Sequence, residues 1–82
     1  MNHSLTLADI QPGERCLVSA LLATGGMRRR LLDLGVVENA PILCIGRAPA
    51  DDPSAYLLCG AVIAIRACDA RGIAVRRPCD GA

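Results

Sequence analysis

The sequence predicts an all-β fold, a small closed or nearly closed barrel of about five short strands with one or two short helices. Three observations carry that prediction. Short apolar runs recur along the chain, each bounded by Gly, Pro or Asp turn signals. Helical periodicity is confined to one stretch, Met27 to Leu34. The 82 residues suit one domain, expected to span 1–82 with its core in 5–76. That core must be aliphatic, because 52% of the residues are hydrophobic and 1% aromatic, Tyr56 being the sole aromatic side chain.

Each element follows from local chemistry. Leu5 to Ile10 is a short apolar segment that ends at Gln11-Pro12-Gly13-Glu14. Pro presets φ and Gly accepts a positive φ, so this is a turn. Arg15 to Leu22 is the first strand, and its near-continuous apolar character predicts burial on both faces. Thr24 is placed to cap the helix that follows. Met27, Leu31 and Leu34 share a helical face, which assigns Leu31 and Leu34 to the core. Gly35 stands where a helix-ending glycine belongs. Ile42 to Arg47 is a second strand, and Ala48 to Pro53 is a turn with two prolines and two acids. Tyr56 to Cys59 and Ala61 to Arg66 form a hairpin about Gly60. Asp69 to Gly72 turns the chain into a last strand, Ile73 to Arg76. The tail, 77–82, is expected to fray.

Composition excludes several functions. The net charge is +1 and stacking aromatics are missing, so nucleic acid is not an expected partner. No apolar run approaches the ~18–20 residues of a membrane span. The first ten residues lack a basic stretch followed by an apolar one, so a cytoplasmic setting with reduced thiols is expected. Of the five cysteines, Cys16, Cys44 and Cys59 fall in apolar runs and are assigned to the core; Cys68 and Cys79 fall in turn or tail segments. No catalytic set is present. His3 is the one histidine, and Gly25-Gly26 lacks the further glycines and lysine of a phosphate loop. Cys68, between Arg66 and Arg71, reads as a barrel-edge residue rather than a nucleophile. No metal ligand set emerges, since the cysteines are dispersed; the pairing considered is Cys44 with Cys59 across a sheet.

Arg28, Arg29 and Arg30 are the most informative polar residues. They lie at the start of the helix, where the macrodipole disfavours cations. Two readings stay open: docking on an acidic partner, or a solvated face offset by Asp33, Asp51 and Asp52. The apolar excess has two readings as well, an interaction patch or scattered surface Leu and Ala.

The residues also resemble a family. Leu7-x-x-Ile10-x-Pro12-Gly13-Glu14 followed by Arg30-Leu31-Leu32-Asp33-Leu34-Gly35 resembles the start of a FeoA domain. Ala48-Pro49 with Asp52-Pro53 resembles its central turn, and Ile65-Arg66, Asp69-Ala70 and Ile73-x-Val75 resemble its end. Glu38-Asn39 replaces the family's Pro-Gly, and Asp51 replaces a glycine. The resemblance implies an SH3-like barrel and a non-enzymatic accessory role in ferrous iron transport. The implied partner is the FeoB membrane transporter, with Arg28, Arg29 and Arg30 as the docking candidates. It implies no resident cofactor and leaves ferrous or another divalent ion open. Two alternatives stand beside it: a metal-responsive domain like the C-terminal module of iron-dependent repressors, and a self-associating homo-oligomeric module.

Overall fold

The computed structural model describes residues 5–47 and 53–78, apart from the side chain of Arg47. His3, the turn residues 48–52 and Cys79 lie outside the described residues. The elements are a 3-10 turn (Leu7–Asp9), β1 (Arg15–Leu21), α1 (Gly25–Leu34), β2 (Pro41–Arg47), β3 (Ser54–Leu58), β4 (Ala61–Ile65), α2 (Ala67–Ala70) and β5 (Ile73–Arg76). The strands form one antiparallel sheet in the order β4-β3-β2-β1-β5. Its inner face wraps a single core.

Period-two alternation builds that core. Cys16 and Val18 of β1, Ile42 and Cys44 of β2, Tyr56 and Leu58 of β3, and Ile73 and Val75 of β5 all point inward. Leu7, Ile10, Leu31 and Val36 close its ends. Burying each such Leu, Ile or Val contributes roughly 1.5–3 kcal/mol, so an aliphatic core suffices without a stack of aromatics.

The first apolar segment is a 3-10 turn rather than extended chain. The Thr6 N–H donates to Asp9 Oδ2 at 2.9 Å, which satisfies a donor that the turn leaves free. The Pro12-Gly13 turn forms as expected. Gly13 has φ 90°, and the Glu14 N–H donates to the Gln11 carbonyl at 2.9 Å.

Four expectations are corrected. β1 is buried on one face only; Arg15 and Ala20 are exposed, because the sheet's outer side has no second layer over it. Helix α1 begins at Gly25 rather than Met27; Thr24 does stand at its N-cap, but its side chain makes no capping bond. Leu34 is 41% exposed, whereas Leu31 is buried. A short helix lying across a barrel rim seals only a narrow stripe, which Leu31 and the half-buried Met27 fill. Cys59 is exposed, not core: with Gly60 it forms the two-residue turn between β3 and β4, at φ 53° and 82°. Gly35 does end α1, at φ 102°, its N–H meeting the Leu31 and Leu32 carbonyls.

Candidate docking surface

The outer face of β2, β3 and β4 carries a row of apolar side chains. Register places Leu43 opposite Leu57, and Leu57 opposite Val62, so the three cross the sheet side by side. Val62 is 64% exposed and Leu57 36%. Ala55 and Ala64 form the next cross-strand pair. A bulge between Cys44 and Gly46 turns Ile45 outward, 47% exposed. The apolar excess is therefore clustered, and a clustered exposed patch marks an interaction surface more than scattered residues do.

Arg28, Arg29 and Arg30 are all exposed on α1 but do not share one face, since successive helical residues are about 100° apart. Arg28 borders a groove with Leu32, Val37 and Glu38. Arg30 borders a second groove, floored by Met27, Leu31, Leu34 and Ile65 and shared with Arg66. Among the described residues, none of the three arginines forms an ion pair with Asp33. Asp51 and Asp52 lie outside the described residues. Arg66 is paired loosely, its Nε 3.6 Å from Asp69 Oδ2.

The remaining charged pairs hold loops in place. Glu14 accepts from the Gln11 N–H at 2.7 Å and from Arg77 Nη1 at 2.6 Å. That backbone donor, then Arg77, holds the Glu14 carboxyl below its ordinary value. Arg77, at the start of the segment expected to fray, is thus tied to the first turn. Arg76 donates to Asn39 Oδ1 and, at 3.4 Å, to the Val18 carbonyl. Asn39 has φ 71°, so it takes the left-handed conformation of the glycine it replaces.

Among the described residues, the thiols do not assemble a metal site. Cys44 lies opposite Tyr56, so the Cys44–Cys59 pairing does not form. Cys16 lies opposite Ile42, two residues from Cys44 on the same inner face. Burial first, then the neighbouring Cys44, pushes the Cys16 thiol up to about 11. Cys59 and Cys68 are free and exposed. Among the described residues, no group of three or more His, Cys, Asp or Glu could hold a metal ion. Among them also, no helix is long and apolar enough to cross a membrane.

Comparison with known proteins places this architecture. The family model described as the FeoA domain matches residues 5–77. The solution structure of FeoA from Chlorobium tepidum is similar at TM-score 0.85 and 32% identity, covering 92% of this chain and 71% of that one. FeoA of Stenotrophomonas maltophilia, solved with zinc and described as a procaryotic SH3 domain protein, is similar at TM-score 0.79 and 21% identity. That match covers 88% of this chain and 89% of the other. A manganese-dependent transcriptional repressor is similar at TM-score 0.80 and 16% identity, over 92% of this chain and 41% of its own. The last two likenesses show the fold alone, an SH3-like barrel that recurs within longer repressors. Among curated proteins, none matches the chain.

Proposed function

Because this chain belongs to the FeoA domain family, we propose that it is an accessory module of ferrous iron transport that works by contact with a FeoB-type membrane transporter. The observation that carries the reading is the family match over residues 5–77, nearly all of the chain. The geometry supports contact rather than chemistry. An in-register apolar row, Leu43–Leu57–Val62, lies outward. Arg28, Arg29 and Arg30 stand exposed, without ion pairs to described acids, and Arg30 borders the groove at the Ala64 end of β4. A polar rim about an apolar centre is the usual anatomy of a protein interface. The module carries out no reaction itself and acts on the cytoplasmic side, where the transporter's soluble part would meet it.

The test is association of the purified chain with full-length FeoB from the same organism, reconstituted and examined across nucleotide and iron states. Saturable binding is expected. Absence of binding in every state would end the proposal. In cells, deletion should lower ferrous uptake, and unchanged uptake would weigh against a transport role.

A further inference from the structure

The edge of β4 is built to accept another strand. The Cys59-Gly60 turn closes on the pair Leu58–Ala61. In a two-residue hairpin that closing pair exchanges both backbone hydrogen bonds, and alternate pairs follow. Tyr56–Ile63 and Ser54–Ile65 therefore bond to each other, and Val62 and Ala64 aim their N–H and C=O groups away from β3. β4 ends the sheet, and among the described residues no strand lies on that side. Both residues are exposed, and among the described residues their backbone groups have no other partner. The strand reads Ala-Val-Ile-Ala-Ile, with none of the charges or prolines that normally protect an edge.

The groove shared by Arg30 and Arg66 opens beside the far end of this edge, at Ala64 and Ile65. Its volume is about 210 Å³. That is below the ~300 Å³ at which small-molecule pockets begin, and it suits a single side chain. Among the described residues, Arg30 and Arg66 face one acid there, Asp69, for two cations.

Resting on the transporter reading above, we propose that the partner docks by strand addition: an extended segment pairs with Val62 and Ala64 along β4 and places a carboxylate between Arg30 and Arg66. Main-chain bonds to an exposed sheet edge supply affinity in this mode, and side-chain pockets supply specificity. The segment is apolar where it lies beside Val62 and acidic at the end that reaches α1. Charge complementarity sets its direction, since two cations, Arg30 and Arg66, border the Ala64 end, against one, Arg15, in the groove beside the Cys59-Gly60 turn.

Amide hydrogen exchange of the full chain, free and bound to reconstituted FeoB, tests this. On binding, the Val62 and Ala64 amides should slow by roughly two- to tenfold, the range one net hydrogen bond each corresponds to. Val62→Pro removes an outward N–H without touching the β3 ladder and should weaken binding about tenfold. The double change Arg30→Glu, Arg66→Glu should weaken it by a similar factor, mainly through slower association. Should Val62→Pro fail to fold, the exchange measurement on the native chain decides alone. Binding with unprotected Val62 and Ala64 amides would overturn strand addition and leave the transporter partner standing. No binding at all would overturn the transporter reading and this inference with it.

Discussion

The two edges of the sheet are handled in opposite ways. At β5, the chain's own beginning covers the open side. Thr6 bridges to Ala74, and the Val75 N–H donates to the Leu5 carbonyl at 2.9 Å. Fully buried Leu7 and Ile10 anchor that cover from beneath. Across the sheet, β4 has no strand beyond it among the described residues, and its side chains are as apolar as those of a buried strand. An unprotected apolar edge favours pairing with another chain unless a partner occupies it. The difference places a covered, anchored edge on one side of the sheet and an edge open to contact on the other.

The largest expected effect lies on the guarded side. Leu7→Ala should cost about 2–5 kcal/mol by leaving a cavity under the N-terminal turn. Chemical denaturation reads this directly, and a loss below about 1 kcal/mol would mean the guard is not anchored as described. The same side carries an alkaline limit. The Cys16 thiol is raised from 9.0 to about 11, so the folded state favours its protonated form. Stability from this thiol is fully present below pH 9.0 and is lost as pH rises toward about 11. A fall on the order of 2–3 kcal/mol is expected across that window, from the ~1.4 kcal/mol carried by each pKa unit. Cys16→Ala should flatten the decline, and an equally steep profile in that variant would assign it to another group.

Smaller effects belong to the open side. Cys59 sits at φ 53° in a turn that prefers Asn before Gly. Cys59→Asn should stabilise by up to about 1 kcal/mol by easing the left-handed backbone. An unchanged melting temperature would show that contact between the thiol and Gly35 compensates, since a Cβ on Gly35 would lie 3.0 Å from Cys59 Sγ. Val62→Thr should change stability by less than about 0.5 kcal/mol, because the side chain is exposed. A larger loss would mean that β4 is covered. Smallest of all, Arg77→Ala should leave the melting temperature unmoved while the Glu14 titration midpoint rises toward 4.5. Glu14 is a depressed acid, so its contribution is present above its unfolded value and lost as pH falls through the folded one. Because the Gln11 N–H is the larger cause, part of the depression should remain.

Much of the fold could be read before any coordinate. Strand positions, the Pro12-Gly13 turn, the helix-ending Gly35 and the hairpin at Gly60 all follow from backbone chemistry within a few residues. Thr6-x-x-Asp9 also carried a turn signature in plain sight, and it explains why the first segment curls. Leu34 and the outer face of β1 read as core because they are apolar, yet which apolar residues are covered depends on whether a second layer lies over them; Cys59 is apolar too, but the two-residue turn takes it out of the strand.

Sequence alone determined the family, the strand count and the aliphatic core, because these rest on residue type, spacing and short-range geometry. Tertiary structure alone decided that Arg28 and Arg30 serve different grooves, that Leu43, Leu57 and Val62 line up, and that β4 is left open. Those facts depend on register and strand order, which join residues far apart in the chain. A one-residue shift of register would send Leu43, Leu57 and Val62 to the opposite face without altering a single local signal.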